Sequence, residues 1–536
     1  MCITICTQNH TKCHILLDPT HLAVFARPKI RGGRVSKRRN VLFVIMDQMR
    51  ADLLHGAFAN HVDLPNLRAL MGDAVTFRRH YSVTNPCGPS RASILTGKYA
   101  MNHRSVRNGT PLPHDTPNLA TEVRKAGYLP QLWGYTDIAT DPRTLTAGDP
   151  MLKSYEQVIP GFVEALEMRL EESWPWRSHL AAKGYEFGEG YEVFRPKGDT
   201  VDSPALYAAQ DSDTAFLTDR FLADIRARPS GWFAHLAYIR PHPPLVAPEP
   251  FNKMYDPASL PSPRIVRDRA SQAASHPYDG PLLEQKRPSD NVIGFPDLED
   301  TPQNVAALRA IYLALATEVD QHFGRIIRFL KESGQYDDTL LVIMADHGEM
   351  LGDHHAWGKM HYYDAAYHTP LIIRDPALKE GFGREVDAPT ESIDVTPTIL
   401  DLLGLDIPDT MDGRSLASFL RCKAPDYWRD YSYSELDYGD PVEPTLWQTR
   451  LGLDSDLTNF AILRGRKHTL VHFNGGLPPI LFDHENEGEA RNVANDPAAS
   501  SILLEMTQRL LNHMLTHTEG RFARTMITAK GAQRAS

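Results

Sequence analysis

Two unbroken apolar runs most constrain the fold of this chain. One extends from Asn40 to Met46 (NVLFVIM) and the other from Thr339 to Met344 (TLLVIM). Runs of this length without polar alternation are typical of parallel strands that helices cover on both faces. Further strands are predicted over residues 130–135 and 232–238, and an amphipathic helix over residues 303–333. We therefore predict an α/β fold with a large, mostly parallel mixed sheet between layers of helices.

Polar side chains follow both apolar runs at the points where the predicted strands end. Asp47 and Gln48 follow the first run, and Asp346 and His347 follow the second. Ligands of open α/β sheets bind at the carboxyl ends of the strands, so these four side chains are expected to meet at one edge. Taken alone, Asp47 could instead cap a following helix. Two buried carboxylates would repel each other without a cation, and this oxygen-rich set with one imidazole suits Ca²⁺, Mg²⁺ or Mn²⁺ better than zinc.

A cysteine lies at the start of another predicted helix. Ser90 is a plausible N-cap and Gly97 a plausible C-terminal stop, which places Cys87 near the positive end of the helix dipole. A thiol in that position would be acidic and would be a candidate nucleophile. The alternative is that Cys87 is a small buried hydrophobic residue at a turn, which is the commoner role of unpaired cysteines.

Two further side chains are candidates for binding an anion or moving a proton. His242 lies in a proline-rich loop directly after the strand predicted over residues 232–238. The prolines restrict the conformations of the loop, so a functional role for His242 is about as well supported as a surface or structural role. Lys359 lies in the polar stretch 351–361 and is the candidate cation for binding an anion. The alternative is that this histidine-rich stretch is only a solvated loop.

The chain is long enough for more than one domain, with 536 residues. Short antiparallel strands over residues 461–463, 467–473 and 480–483 and a closing helix over residues 501–515 predict a smaller C-terminal α+β subdomain. The predicted division is a disordered N-terminal extension over residues 1–39, a catalytic α/β domain over 40–424, the C-terminal subdomain over 425–518 and a tail over 519–536.

Composition excludes several classes of protein. A formal net charge of −10 gives no support to binding of nucleic acid or of an anionic membrane. The five cysteines, Cys2, Cys6, Cys13, Cys87 and Cys422, form no disulfide framework, which fits a reducing compartment. No apolar stretch reaches transmembrane length, and the order of apolar and basic residues near the N-terminus is the reverse of a signal peptide. We therefore predict a cytoplasmic protein.

The motifs together resemble a known family. The stretch Cys87-Gly88-Pro89-Ser90-Arg91, followed by Leu95-Thr96-Gly97, resembles the sulfatase signature C-x-P-S-R with its L-T-G extension. The acids after the two strands resemble the metal-binding strand ends of the alkaline phosphatase superfamily. Within that superfamily the chain is most similar to the bacterial phosphonate monoester hydrolases and their arylsulfatase relatives. The resemblance covers roughly residues 38–515, in order, and a chance match of this ordered set is put below about one in twenty.

The resemblance implies a specific site. A maturation enzyme would convert Cys87 to formylglycine, an aldehyde that hydrates to a geminal diol. One divalent cation, Mn²⁺ or Ca²⁺ with Mg²⁺ as a further candidate, would be held by Asp47, Gln48, Asp346, His347 and the modified Cys87. Arg91 would orient the diol, Lys359 and His242 would bind the ester and assist the leaving oxygen, and Asn108 and Tyr135 would line the pocket. The resemblance also implies a homodimer or homotetramer.

Two departures from the phosphonate hydrolases favour sulfate as the substrate. Ser90 stands where that group has Ala and matches the sulfatase consensus, and Asp137 stands where that group has a small hydroxyl residue. An added acid would repel a dianionic phosphate monoester more than a monoanionic ester. The leading hypothesis is an arylsulfatase that cleaves sulfate monoesters, with phosphonate monoesters and phosphodiesters as side activities. The alternatives are a phosphonate monoester hydrolase with secondary sulfatase activity and a catalytically silent metal-binding scaffold.

Overall fold

The computed structural model of the protein describes residues 38–519 and 525–534. The N-terminal extension predicted over residues 1–39, including Cys2, Cys6 and Cys13, lies outside the described residues up to residue 37. Residues 520–524, 535 and 536 of the predicted tail also lie outside them. Within that tail, residues 525–528 and 531–534 pair as an antiparallel hairpin. In the described part of the chain, no helix is both long enough and apolar enough to cross a membrane.

The strands fall into one large sheet, one C-terminal sheet and two short pairs. They are β1 (Asn40–Met46), β2 (Val75–Phe77), β3 (His80–Tyr81), β4 (Pro130–Gly134), β5 (Val163–Glu167), β6 (Phe233–Tyr238), β7 (Thr339–Met344), β8 (Leu371–Arg374), β9 (Arg384–Val386), β10 (Thr390–Glu391), β11 (Ser432–Asp437), β12 (Asn459–Arg464), β13 (His468–Phe473), β14 (Ile480–Asp483), β15 (Gly488–Asn492), β16 (Thr525–Thr528) and β17 (Gly531–Arg534).

The large sheet has the order β5-β4-β6-β1-β7-β8-β2-β9. β1 lies at its centre and pairs in parallel with both β6 and β7. β8 runs antiparallel to β7 and to β2, so the sheet is mixed but mostly parallel. The predicted fold class is therefore confirmed, and the two apolar runs that predicted it are adjacent central strands.

Helices cover both faces of the large sheet, and α15 packs against the C-terminal sheet. The helices of the described residues are α1 (Asp52–His55), α2 (Pro65–Met71), α3 (Cys87–Thr96), α4 (Ala100–His103), α5 (Leu119–Lys125), α6 (Trp174–Ala182), α7 (Asp213–Arg226), α8 (Arg269–Ala273), α9 (Asp279–Gln285), α10 (Pro302–Glu332), α11 (Asp364–Tyr367), α12 (Val395–Leu402), α13 (Ala417–Leu420), α14 (Leu446–Leu451) and α15 (Ser500–Thr516).

Alternate residues of β1 belong to different cores. Val44 and Met46 pack in one apolar cluster with residues of α7 and α10. Phe43 and Ile45 pack in the other with residues of α3, α5 and α12. Because successive side chains of a strand point to opposite faces, an unbroken apolar run is what a strand between two helical layers requires.

The C-terminal part forms a second, antiparallel sheet with the order β11-β12-β13-β14-β15. The three short strands predicted there correspond to β12, β13 and β14, and the sheet adds one strand on each side of them. The domain boundary at residue 425 stays a prediction. The sheet contacts the rest of the fold close to the cysteine motif, because Thr84 makes a parallel bridge with Glu435.

Candidate active site

The strand ends bring the predicted acids together. β1 and β7 are neighbours, with Ile45 level with Met344, so Asp47 and Asp346 emerge at the same sheet edge. Both carboxylates are buried. His347 Nε2 lies 3.7 Å from an oxygen of Asp47 and 3.8 Å from one of Asp346. Parallel pairing of two buried strands is thus enough to assemble these groups.

Cys87 completes this cluster. Its Sγ lies 3.1 Å from His347 Nε2 and 3.9 Å from Asp47 Oδ1. The ligand atoms of Asp47, Cys87, Asp346 and His347 all lie within 4.8 Å of one another, and all four residues are buried. Two carboxylates and a neutral imidazole at this spacing fit one divalent cation.

The electrostatics of the acids point the same way. Burial and the neighbouring Asp346 carboxylate raise the pKa of Asp47. Burial also opposes ionisation of Asp346, but the attraction of His347 and Arg91 outweighs it, so the pKa of Asp346 is lowered. Ionisation of Asp47 therefore costs free energy, and a cation bound between the two carboxylates would remove that cost. This behaviour is typical of a metal-binding pair of acids.

Gln48 is close to this cluster but its side-chain amide is turned elsewhere. Its backbone adopts φ 66°, and its N–H donates to Asp346 Oδ1 at 3.0 Å. The side-chain Nε2 donates to Glu349, and Oε1 accepts from Lys359 Nζ at 2.7 Å. Gln48 therefore connects the acids to Lys359. Glu349, which the sequence analysis gave no role, fixes this amide and accepts from the backbone N–H groups of Leu351 and Gly358.

Cys87 is the first residue of α3, and Pro86 occupies the N-cap. The prediction of Ser90 as the N-cap is wrong: Ser90 lies inside the helix, and its hydroxyl donates to the Asp346 carbonyl at 2.6 Å. The predicted stop is confirmed, since Gly97 has φ 65° and its N–H donates to the Ser93 carbonyl. The cysteine helix is thus bonded directly to the end of β7.

The expectation of an acidic thiol at position 87 is also wrong. Burial, followed by the nearby Asp47 carboxylate, raises the pKa of Cys87 well above that of an ordinary cysteine. The side chain is 5% exposed. The loss of hydration and the two carboxylates outweigh the helix terminus here, because the dipole contributes only about 0.3–1 kcal/mol at an ordinary surface site.

Arg91 bridges the two acids. Its Nη2 donates to Asp47 Oδ2 and its Nε donates to Asp346 Oδ2, each at 3.0 Å. Its Nη1 donates to the Tyr135 carbonyl at 3.1 Å, and the guanidinium stacks 4.0 Å from the centre of the Tyr135 ring. The side chain is fully buried. Arg91 therefore fixes the direction of both carboxylates.

Lys359 and His242 form a pair on the other side of Gln48. Lys359 Nζ lies 2.9 Å from His242 Nε2. His242 Nδ1 is bonded to the Pro243 carbonyl, so Nδ1 carries the hydrogen and Nε2 accepts from Lys359. Burial and the Lys359 charge lower the pKa of His242 well below its usual value. The pair therefore places one positive charge, on Lys359, at this edge.

The remaining predicted pocket residues contact the start of α3. Asn108 Oδ1 accepts from the Gly88 N–H at 3.0 Å, and a Cβ on Gly88 would lie 2.7 Å from the Asp137 carbonyl oxygen, so this position requires glycine. Tyr135 donates its hydroxyl to Asp47. Asp137 is buried with Oδ1 unpaired among the described residues, and burial raises its pKa. All ten predicted site residues thus lie in one contiguous region.

The fold and this cluster define an α/β hydrolytic enzyme with a candidate metal centre. Residues 39–405 match the sulfatase family model, and residues 352–515 match that of the N-sulphoglucosamine sulphohydrolase C-terminal region. The chain belongs to the sulfatase family, as its motifs predicted.

Three relatives illustrate its place in that family. Phosphonate monoester hydrolase SpPMH from Silicibacter pomeroyi is 58% identical, with a TM-score of 0.91, over 93% of this chain and 99% of that one. The phosphonate monoester hydrolase of Agrobacterium radiobacter is 37% identical, with a TM-score of 0.89, over 93% of this chain and 100% of that one. The multifunctional alkaline phosphatase superfamily protein PehA from Trinickia caryophylli is 36% identical over 90% of this chain and 96% of that protein.

Proposed function

We propose that the protein is a formylglycine-dependent metallohydrolase that cleaves monoanionic esters, namely phosphonate monoesters and sulfate monoesters, and phosphodiesters as a third class. The observation that carries this proposal is the buried cluster of Cys87 with Asp47, Asp346 and His347, faced by Lys359 across Gln48. The family and the similarity to two phosphonate monoester hydrolases support it.

The metal centre would be held by Asp47, Asp346, His347 and residue 87, with Gln48 as a fifth candidate. A bound divalent cation would lower the pKa of a coordinated hydroxyl and neutralise charge on the ester. Arg91 would hold the two carboxylates in place, because each accepts one of its N–H groups. The oxygen-rich donor set favours Mn²⁺ or Ca²⁺ over zinc.

Residue 87 would act as formylglycine, formed from Cys87 by a maturation enzyme. The hydrate of this aldehyde would supply one hydroxyl as the nucleophile and a second hydroxyl for release of the product. The buried thiol itself is poorly suited to attack, since burial raises its pKa and the thiolate is the reactive form.

Lys359 would bind the anionic ester and stabilise the charge that develops on the leaving oxygen. Its Nζ hydrogen atoms are directed by Gln48 and by His242. His242 would position Lys359 and would pass a proton from the Lys359 ammonium, through Nε2, to the leaving oxygen. The Pro243 carbonyl holds the ring in that orientation.

The structure weakens both arguments for a preference for sulfate. The Ser90 hydroxyl is bonded to the Asp346 carbonyl inside the protein, so this position acts in packing. Burial raises the pKa of Asp137, which lowers the negative charge it can present to a substrate. Together with the 58% identity to a phosphonate monoester hydrolase, this favours phosphonate monoesters as the better substrates.

The preference for phosphonate over sulfate monoesters is tested by comparing kcat/KM for 4-nitrophenyl phenylphosphonate and 4-nitrophenyl sulfate. The protein is loaded with metal and is produced together with the maturation enzyme. The two substrates share a leaving group, so their ratio reports the transferred group alone. We expect hydrolysis of both and a higher kcat/KM for the phosphonate. A higher value for the sulfate would restore the arylsulfatase order, and hydrolysis of neither would contradict the proposal.

We expect the peptide that contains residue 87 to carry an aldehyde in protein made with the maturation enzyme. Mass spectrometry of that peptide measures this directly. An unmodified thiol at full occupancy would support the alternative of a catalytically silent scaffold. The cytoplasmic location and the homodimeric or homotetrameric state stay predictions.

His242→Ala should affect substrates with poor leaving groups most. We expect kcat/KM to fall by about 10²–10⁴-fold for an unsubstituted phenyl ester and by less for a 4-nitrophenyl ester, because a stable leaving group needs less proton transfer. The measurement is the slope of log kcat/KM against leaving-group pKa, with the exposed His61→Ala as the matched control. An equal loss on every substrate would refute this role of His242.

A further inference from the structure

A cavity of about 300 Å³ opens beside the pair formed by Lys359 and His242. Gln48, His242 and Lys359 lie at its catalytic end. Its other walls come from α9, from the loop before Lys359 and from α14 in the C-terminal part of the chain. A group that leaves from the ester at Lys359 would therefore have this cavity directly beside it.

The walls of the cavity are largely apolar and include two tryptophans. Leu282, Trp357, Met360 and Trp447 line it. Trp447 Nε1 donates a hydrogen bond to the Tyr278 carbonyl at 3.0 Å, and the Trp447 ring stacks on the Tyr278 ring. Fixed aromatic and aliphatic walls of this kind favour a flat apolar occupant.

Lys286 adds a second positive charge to this cavity. The aliphatic part of the Lys286 side chain lies beside Gly358, since a Cβ placed on Gly358 would be 3.9 Å from Lys286 Cγ. Its Nζ donates to the Asp290 carbonyl at 3.0 Å. Among residues 38–519 and 525–534, no carboxylate oxygen lies within 4.0 Å of this ammonium group, whereas Arg91 is paired with both Asp47 and Asp346.

This charge lies in a partly desolvated environment. Lys286 is half-buried, and burial lowers its pKa. Lys286 lines the same cavity as His242 and Lys359, and burial, the charge of Lys359 and, to a smaller extent, that of Lys286 lower the pKa of His242. A partly dehydrated ammonium group with no carboxylate at salt-bridge distance in the described part of the chain gains from a bound anion.

We propose that this cavity is the leaving-group subsite and that it selects flat apolar alcohols that carry a negative charge, which Lys286 binds. The assignment of the occupant as a leaving group rests on the proposed function. The preference of the cavity for an anionic aromatic molecule does not depend on the proposed function, because it follows from the cavity walls and from Lys286 alone.

The binding test uses the released alcohols as probes. Quenching of tryptophan fluorescence measures the affinity of the metal-loaded protein for 4-hydroxybenzoate and for phenol, since Trp357 and Trp447 line the cavity. We expect 4-hydroxybenzoate to bind about tenfold more tightly, and Lys286→Met to reduce this ratio to about one. The exposed Lys423→Met is the control and should keep the ratio. Equal affinity for the two probes, or an unchanged ratio in Lys286→Met, would overturn the proposal; the latter would assign the charge preference to Lys359.

The kinetic test compares 4-carboxyphenyl and phenyl esters of the same transferred group. We expect the ratio of their kcat/KM values to fall about tenfold in Lys286→Met and to fall further in Lys286→Glu, since a charge reversal adds repulsion. Thermal unfolding checks that both variants fold. If the unsubstituted protein hydrolyses no ester but still prefers 4-hydroxybenzoate, the proposed function and the assignment of a leaving group fail, and the preference of the cavity for an anionic aromatic molecule stands. If it hydrolyses both esters with an unchanged ratio in Lys286→Met, the subsite fails and the function stands.

Discussion

Cys87→Ala should abolish ester hydrolysis while leaving the fold in place, with kcat/KM lower by about 10⁴-fold or more. The substitution removes the thiol-bearing carbon that the proposed maturation would oxidise to an aldehyde, and the methyl group of alanine cannot replace it. Alanine leaves Asp47, Asp346 and His347 unchanged, so the metal donors other than residue 87 remain. Because only one sulfur is deleted from a buried position, the free energy of unfolding should fall by no more than about 1–2 kcal/mol. Steady-state kinetics and urea unfolding measure the two effects separately.

The chain provides a matched control for this substitution. Cys422 is exposed and also free, so Cys422→Ser should keep full activity, whereas Cys87→Ser should lose it. Both variants exchange the same atoms and differ only in location. Activity in Cys87→Ala within tenfold of the unsubstituted protein would contradict the formylglycine mechanism. Loss of activity in Cys422→Ser as well would point to a general effect on folding.

The central fold could be predicted because its strands are buried on both faces. The apolar runs of β1 and β7 carry no polar residue after Asn40 and Thr339, and that pattern is typical of a strand between two helical layers. The helix predicted over residues 303–333 extends over Pro302–Glu332. β5 was not predicted, since this edge strand is partly exposed and carries two glutamates. Short edge strands depend on their neighbours more than on their own sequence.

The acids of the site could be predicted for the same reason. Parallel strands end at one edge, so Asp47 and Asp346 had to meet once β1 and β7 were adjacent. Details that depend on tertiary contacts could not be predicted. The Ser90 hydroxyl reaches the Asp346 carbonyl, and the amide of Gln48 reaches Glu349, across contacts that no local pattern encodes. The cavity with Lys286 and Trp447 joins segments about 160 residues apart, so neither residue carried a signal in the sequence.

Arg91→Met should destabilise the metal-free protein by about 3–5 kcal/mol, because it leaves the buried Asp47 and Asp346 carboxylates without their counter-charge. The same substitution should cost less when Mn²⁺ saturates the protein, since a divalent cation at the cluster compensates both acids. By linkage, Arg91→Met should then bind Mn²⁺ more tightly than the unsubstituted protein does. Urea unfolding of the dialysed protein, with and without Mn²⁺, measures both quantities.

Arg429 offers a control with the same architecture away from the cluster. It lies 3.3 Å from Glu391 and is also paired with Asp394, and all three side chains are buried. These acids belong to none of the candidate metal sites among the described residues. Arg429→Met should therefore cost the same free energy with and without Mn²⁺. If the loss in Arg91→Met is equally independent of Mn²⁺, then Asp47 and Asp346 do not hold the ion, and the metal centre proposed here is wrong. A loss that shrinks only in Arg91→Met identifies the strand-end carboxylates as the ligands, because only there do the arginine and the cation balance the same two charges.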